Sequence, residues 1–450
     1  MSISRRRFLK LGALSMFGTL SSAMGRLSIA NAFPQSATDY RAAVCIFLVG
    51  GNDGNNTIIP NDDAGYNAYA AARKGLAIDR GALLPVQTRS GKQYAFHPKL
   101  TGLRNLFSNN KLAVLANVGT LRQPLTRSEY LAGIGVRPAG LLSHSDQQTQ
   151  WQSFKVDAYG RAAVGWGGQI ADALQSMNSG ATYPGIVSVA GSNVYCQGIQ
   201  THPAAVTAWA QNGLSGFNPS TSSLIMQQAM QQLLSVDTDA LLLGKASADS
   251  TNMLGEIRVQ AEALAGLPSL TTTFPATDIA SQLSMVAKMI QARGSFGLNR
   301  QLFFVALNGF DTHADQLPVH SDLLAQLDGA MAAFYQATVE MGVASQVTSF
   351  TLSDFGRALA ANDTGTDHGW GNHQLIMGGA VNGGDVYGRF ANLILGGEDD
   401  IGANGRRIPT TSVEQYGATI AAWLGVSSGD IPGIFPNIAN FSTPNLGFLL

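Results

Sequence analysis

The sequence predicts an α/β fold with a mostly parallel central sheet flanked by helices. Three apolar runs rich in β-branched and aromatic residues carry this prediction: Ala42–Val49, Gln301–Leu307 and Val347–Leu352. Strands that are buried on both faces of a parallel sheet show continuous apolar runs of this kind. Each run ends in a polar or glycine-rich loop, and segments with helical periodicity separate the runs.

The remaining elements follow from the same patterns. Shorter apolar runs predict further strands at Leu112–Asn117, Gly185–Val189 and Leu375–Met377. The spacing of the first of these from Ala42–Val49 suggests a parallel βαβ unit. Periodic segments predict helices over 62–74, 97–109, 278–293, 320–342 and 412–424, with two more between 222 and 264. We therefore expect one domain over residues 33–450, with a helical insertion around 200–295.

The first 32 residues are expected to be an export signal. Arg5, Arg6 and Arg7 lie in the segment SRRRFLK, which has the form of a twin-arginine signal. A short apolar stretch follows, and Ala30-Asn31-Ala32 offers a cleavage site. An ordinary secretory signal or a membrane anchor is the alternative, but the apolar stretch is short for a bilayer. The protein is then periplasmic or secreted, exported folded by the twin-arginine pathway.

Composition excludes several classes of protein. Charged residues make up 13% of the 450 residues, against about 25% in average globular proteins. Removing residues 1–32 takes away five bases and changes the formal net charge from −1 to −6. No basic run suited to nucleic acid is present, and no transmembrane segment is expected in the mature chain. Cys45 and Cys196 could form one disulfide or remain buried thiols.

Acidic residues follow the three strongest predicted strands. Asp53, Asp311 and Asp354 each come just after one of these runs. Carboxyl ends of parallel strands meet at one edge of a sheet, so these side chains are expected to converge. Converging carboxylates repel one another unless a cation or shared protons lie between them. This pattern predicts a divalent metal site.

Histidines in the same loops extend the expected ligand set. His313, His368 and His373 lie close to Asp311 or Asp354 in the sequence. Mixed oxygen and imidazole ligands suit Zn, Mn or Fe, and a set made of oxygens alone suits Mg or Ca. Ordinary polar turns, in which Asp and His bond local backbone, are the alternative.

Two further predictions concern catalysis. His144, between Ser143 and Ser145, could act as a base beside a hydroxyl nucleophile, although a helix-capping cluster explains the same residues. Arg357 could stabilise negative charge that develops during the reaction. The sequence has no GxSxG elbow, Walker A loop, dinucleotide-binding GxGxxG or paired CxxC motif.

Four motifs together resemble the bacterial DUF1501 proteins: RRRFLK, FLVGGNDGNNTIIP, GFDTHADQ and TLSDFGR…GTDHGWGNHQLIMGG. That family is often exported by the twin-arginine route and is considered related to the alkaline phosphatase/sulfatase superfamily. The resemblance implies an alkaline phosphatase/sulfatase-like fold and a site that holds a divalent metal. It implies metal-ligand roles for Asp53, Asp311 with His313, Asp354, and His368 or His373. Phe355 stands where the superfamily usually has a histidine.

These observations predict an exported metal-dependent hydrolase of phosphate or sulfate esters. Its partner would be an anionic small molecule or polymer. The alternative is a non-catalytic exported binding or assembly protein that retains the fold.

Overall fold

The computed structural model describes residues 40–154, 164–208 and 255–450. The expected signal segment at 1–32 lies outside these residues. So does most of the expected pair of helices between 222 and 264, although residues 255–265 are helical. Among the described residues, no helix is both long and apolar enough to cross a lipid bilayer.

The strands of the large sheet include all of those that the sequence predicts. In chain order the strands of the described residues are β1 Arg41–Val49, β2 Ile58–Pro60, β3 Leu84–Gln87, β4 Gln93–Phe96, β5 Leu112–Gly119, β6 Ile186–Ser188, β7 Ala204–Ala205, β8 Arg300–Asn308, β9 Val347–Ser353, β10 Asn372–Gly378, β11 Val386–Tyr387 and β12 Thr411–Ser412. The order in the large sheet is β11-β5-β10-β9-β1-β8-β6-β7, and β12 also pairs with β5. Strands β2, β4 and β3 form a separate antiparallel sheet.

The predicted mostly parallel sheet is confirmed. Central strand β1 pairs in parallel with β8 and with β9, and β6 pairs in parallel with β8. Among the strands of this sheet that the structure describes, only β10 is reversed, since it is antiparallel to both β9 and β5. The loop between β9 and β10 returns the chain at the same edge of the sheet, so β10 must run in the opposite direction. The suggested parallel βαβ unit is present in split form: β5 runs in the same direction as β1 in this sheet, but β10 and β9 lie between them.

Helices cover both faces of the sheet. Besides the helical residues 255–265, the described part of the chain has α1 Gly54–Thr57, α2 Asp63–Arg73, α3 Thr101–Ser108, α4 Arg127–Ala132, α5 His144–Ser153, α6 Trp166–Ala173, α7 Asp278–Gln291, α8 Arg293–Phe296, α9 Gln316–Glu340, α10 Val413–Leu424 and α11 Ile431–Ile434. Short 3-10 turns occupy Lys74–Leu76, Arg80–Ala82, Gln175–Asn178, Ala344–Gln346 and Ile438–Asn440. On one face α6 and α10 pack on the sheet; on the other, α7 packs on β8, and α9 packs on α7 and α3.

Side-chain alternation along the strands divides the core into two layers. Cys45 and Phe47 of β1 point to the same layer as Phe350 of β9, Trp166 of α6 and Tyr416 of α10. The open question about the cysteines is answered here, because Cys45 and Cys196 are both buried free thiols. Burial raises the pKa of each thiol above its usual value.

Candidate metal centre at the sheet edge

Three neighbouring strand ends form the base of the site. Strands β9, β1 and β8 lie side by side and run in the same direction. Asp354 directly follows β9, Asp311 comes three residues after β8, and Asp53 comes four residues after β1. The predicted placement of these acids at one edge of the sheet is confirmed.

Asp311 is the acid on which the other groups converge. Its carboxylate accepts a hydrogen bond of 2.8 Å from Nη1 of Arg357, whose side chain is fully buried. Burial acts to raise the pKa of Asp311, but the hydrogen bond and charge of Arg357 outweigh it, together with the charges of His313 and His144. The pKa of Asp311 is therefore lowered, and the group is a carboxylate at neutral pH.

Three imidazole nitrogens surround this carboxylate. Nε2 of His313 lies 3.0 Å from Oδ1 of Asp311, and Nε2 of His368 lies 3.2 Å from the same oxygen. Nε2 of His144 lies 3.4 Å from the other oxygen, Oδ2. The Nε2 atoms of His313 and His368 are 3.0 Å apart. The histidines come from the first residue of α5 and from the loops that follow β8 and β9.

Asp354 fixes the orientation of His144. Nδ1 of His144 lies 2.7 Å from Oδ2 of Asp354, and since a carboxylate accepts, this nitrogen donates. The same oxygen accepts from Nε2 of Gln148 at 2.9 Å, and Oδ1 accepts from the Gly50 N–H at 3.1 Å. A neutral imidazole that donates through Nδ1 has a bare lone pair on Nε2. Within the described part of the chain, that Nε2 has no hydrogen-bond partner.

A backbone carbonyl fixes the orientation of His368 in the same way. Its Nδ1 lies 2.7 Å from the carbonyl oxygen of Leu142 and must donate to it. Burial lowers the pKa of His368, and the hydrogen bond to Leu142 only partly offsets this effect. The neutral ring therefore also presents the lone pair of Nε2, which lies 3.2 Å from Oδ1 of Asp311 and 3.0 Å from Nε2 of His313.

These lone pairs and the carboxylate are all acceptors, and acceptors held together are stabilised by a cation or a shared proton between them. Ligand atoms of His144, Asp311 and His368 all lie within 4.8 Å of one another. Donor atoms at 2.0–2.1 Å from one tetrahedral metal ion are about 3.3 Å apart, close to the 3.2 and 3.4 Å observed here. Histidines whose outer nitrogen is held by a carboxylate or a carbonyl are the usual metal ligands. The residues present therefore fit a divalent metal.

Besides Asp354, two of the residues predicted as metal ligands have other partners. Asp53 is buried in an ion pair with Arg73 and also accepts from Gln316 and from the Asn55 N–H. Nδ1 of His373 accepts from the Asn117 N–H at 3.1 Å, and burial lowers the pKa of His373 to about 3. The structure brings together Asp311, His313, His368 and His144, with Asp354 and Arg357 behind them.

The two candidate serine nucleophiles bond to each other. Oγ of Ser143 and Oγ of Ser145 are 3.2 Å apart. Both ring nitrogens of His144 are directed at carboxylates, Asp354 and Asp311. In the contacts described for this chain, neither hydroxyl is bonded to a histidine that could take its proton, so this geometry does not favour a serine nucleophile activated by His144.

Sequence reasoning missed the groups that hold the histidines in place: the Leu142 carbonyl, the Gly50 N–H and the Gln148 amide. One signal was available in α5, whose sequence HSDQQTQWQS is polar on every side. Gln147, Gln150 and Gln152 are nevertheless buried. A buried helix without an apolar stripe indicates a hydrogen-bonding role.

A comparison with known protein families identifies the family of this chain. The DUF1501 family model, described as "Protein of unknown function", matches residues 40–426. The chain belongs to the DUF1501 family. This membership confirms the resemblance that the sequence motifs predict. No curated protein matches the chain.

Solved structures give a distant likeness. Ps i-CgsB in complex with k-i-k-neocarrahexaose is 10% identical, with 90% of this chain and 77% of that chain covered, at a TM-score of 0.37. The PsFucS1 sulfatase from Pseudoalteromonas sp. is 11% identical, with 87% and 70% covered, at a TM-score of 0.33. A protein in the alkaline phosphatase superfamily from Vibrio parahaemolyticus is 8% identical, with 86% and 67% covered, at a TM-score of 0.33. Because these values are low, we base the function on the side chains of this chain.

Proposed function

We propose that this DUF1501 protein is an exported metal-dependent hydrolase of phosphate or sulfate esters. The observation that carries the proposal is that Nε2 of His144 and Nε2 of His368 both lie beside the Asp311 carboxylate, while Nδ1 of each ring is held by Asp354 or by the Leu142 carbonyl. Each histidine is fixed through its other nitrogen, so the donors are in place before any ligand binds. Donors fixed in this way avoid a reorganisation cost when a cation binds.

His144, Asp311 and His368 would hold the metal, with His313 as a fourth donor. A set of nitrogen donors with one carboxylate suits Zn or Mn better than Mg or Ca, which prefer oxygen ligands. The chemistry that such a metal supplies when bound is Lewis-acid polarisation of the ester and of water.

Arg357 positions Asp311 in this proposal. Its guanidinium donates to Asp311, to Oγ1 of Thr366 at 3.2 Å and to the Gly50 carbonyl at 3.4 Å. These bonds hold the arginine within the protein, and its positive charge keeps Asp311 ionised. Since the two serine hydroxyls bond each other, water is the nucleophile that this arrangement favours.

Export is the second part of the proposal, and it rests on the sequence. Arg5 and Arg6 lie in the twin-arginine motif, ahead of the apolar stretch. The twin-arginine route carries folded proteins, so the metal would be bound before export to the periplasm or the medium.

Metal content and ester hydrolysis test the proposal together. Purified without chelators, the wild-type protein should contain about one equivalent of a divalent metal and hydrolyse an aryl phosphate or an aryl sulfate. His144→Ala and His368→Ala should each weaken metal binding by about 10- to 100-fold or more and abolish hydrolysis. The matched control is His202→Ala, which removes an exposed histidine and should change neither.

Two outcomes would contradict the proposal. Wild-type protein with less than about a tenth of an equivalent of any divalent metal has no site of the strength that structural histidine ligands provide. A protein that binds metal but hydrolyses no phosphate or sulfate ester would instead be an exported binding or assembly protein.

A further inference from the structure

A cleft of about 770 Å³ opens beside the candidate metal centre. It lies over the carboxyl ends of β1, β8 and β6, which is the continuation of the edge that carries Asp311 and Asp354. Ligands of α/β proteins bind at such edges. The volume is within the usual range of about 300–1,000 Å³ for ligand pockets.

Helix α5 connects the cleft to the metal centre. Its first residue is His144, and Ser145, Gln148, Thr149 and Gln152 form one wall of the cleft at helical spacing. Gln148 belongs to both sites, because its side-chain amide also donates to Asp354. A molecule in the cleft would therefore lie one side chain away from the carboxylate that orients His144.

The polar groups of the cleft are amides and hydroxyls. The described residues that line it include no lysine, arginine or histidine, and their one charged group is Asp278. Oε1 of Gln152 is occupied by the N–H groups of Val194 and Tyr195, at 3.1 and 3.0 Å, so its NH₂ group is the part left to donate. The exposed side chains of Thr207 and Asn308 add further donors and acceptors.

We propose that this cleft binds an uncharged, hydroxyl-rich group, a neutral glycan, that carries the ester cleaved at the metal centre. Sugar hydroxyls both donate and accept hydrogen bonds, and they would pair with the amide, hydroxyl and carboxylate groups of the wall. The assignment rests on the proposed function, and it names the class of substrate. The metal centre binds the single anionic group, and the cleft binds the uncharged remainder.

The residues that line the cleft disfavour two other classes of ligand, polyanionic molecules and acyl chains. Additional sulfate, phosphate or carboxylate groups would enter beside Asp278 without a lysine or arginine from the described lining residues, and like charges repel. An acyl chain would leave the NH₂ group of Gln152 without a partner, which costs binding free energy. The aromatic floor offers it little, since Phe47 and Phe304 are 1% and 4% exposed.

A binding measurement tests the cleft without relying on hydrolysis. The zinc-loaded full-length mature protein is applied to an array of neutral oligosaccharides, matched sulfated and uronic oligosaccharides, and dodecyl chains. The strongest neutral ligand on the array is then titrated by calorimetry. Ala205→Trp, at an exposed residue that lines the cleft, should weaken this binding on the order of tenfold or more. Ile199→Trp, at an exposed residue of the same β6–β7 connection outside the lining, is the control and should not change it.

Neutral glycan binding should persist when the salt concentration is raised to about 0.5 M, since it involves no ion pair. Three results would each overturn the assignment: no neutral glycan bound, tighter binding of the anionic glycans or dodecyl chains, or unchanged affinity in Ala205→Trp. An unchanged urea unfolding transition in Ala205→Trp shows that the variant is folded. Glycan binding without hydrolysis of any ester would refute the proposed function and leave this inference standing.

Discussion

Asp354 differs from Asp311 because it is fully buried and orients a histidine through its Nδ1. It receives the Gly50 N–H, the Gln148 amide and Nδ1 of His144. Asp354, which the sequence predicts as a metal ligand, therefore orients His144 through a hydrogen bond. Outer carboxylates of this kind set the tautomer and the direction of the ring that binds the metal.

Asp354→Asn tests this positioning role. An amide NH₂ facing Nδ1 favours the other tautomer of His144, in which Nε2 carries the proton and cannot bind a cation. We expect metal affinity, measured by competition with a chelating dye, to fall by about 10- to 100-fold while the fold is retained.

The matched control makes the same change beside another histidine of the site. Asp367 is 38% exposed and contacts Asn362 and Arg406, so Asp367→Asn should bind metal as the wild type does. Equal metal affinity in Asp354→Asn and the wild type would show that His144 does not depend on its carboxylate partner.

At the scale of elements, one helix supplies the cap of another. Helix α3 follows Leu100, whose side chain cannot cap. Instead Asp328, in the middle of α9, accepts from the N–H groups of Gly102 and Leu103 at 3.0 and 2.7 Å. Burial raises the pKa of Asp328, and these backbone hydrogen bonds oppose that shift. The interaction joins two helices that pack on the same face of the sheet.

Asp328→Ala should destabilise the protein by about 1–3 kcal/mol, because two buried N–H groups lose their acceptor. Asp328→Asn keeps an oxygen acceptor and nearly the same shape, so its loss should be smaller. Urea unfolding of both variants measures the difference, with an unchanged slope expected. Coincident transitions for Asp328→Ala and the wild type would show that α3 does not need this cap.

The sequence predicts where each strand and helix lies along the chain better than it predicts which of them lie side by side. The central strands were predicted because a strand buried on both faces must be apolar throughout. Helix α9 begins four residues before the predicted start at His320, since Asp315 in the left-handed region (φ 49°) turns the chain into the helix earlier. The position of β5 beside β10 depends on a pairing between distant segments, and local periodicity contains no information about it.

Local sequence patterns likewise predict only part of the candidate metal centre. The strand-end rule brought Asp311, His313, His368 and Arg357 to one edge, because parallel neighbours share their carboxyl ends. His144 was predicted as a base beside serine, and it reaches this edge from a helix 210 residues before Asp354. A contact over that separation follows from the packing of α5 on the sheet, which the residues near His144 do not indicate.

At the scale of the whole molecule, buried neutral histidines couple folding to pH. His97 is 5% exposed, and burial, with a smaller contribution from Lys99, lowers its pKa from 6.5 to about 4. Burial also lowers the pKa of His373 to about 3 and places that of His320 well below its usual value. His97 accepts from the Lys99 N–H through Nδ1, and His373 accepts from the Asn117 N–H in the same way, so both are held as neutral rings.

These shifts determine the direction of the effect. Below pH 6.5 the unfolded chain protonates its histidines, whereas the folded chain keeps these rings neutral until the pH approaches 3 to 4. The unfolded state then binds more protons, so the free energy of unfolding falls as the pH falls through this window. For His97 alone, a shift of this size corresponds to about 3 kcal/mol once the pH is near 4.

His97→Asn isolates this contribution. The asparagine oxygen can still accept from the Lys99 N–H, but it does not titrate, so the variant should lose less stability than the wild type between pH 7.5 and pH 4.5. Urea unfolding at several pH values measures the free energy of unfolding of the variant and of the wild type. The difference between the two free energies should narrow as the pH falls. His202→Asn, at an exposed histidine, is the control and should run parallel to the wild type. If the His97→Asn curve also runs parallel to the wild type, His97 is protonated as readily in the folded protein as in the unfolded chain, and burial does not hold it neutral.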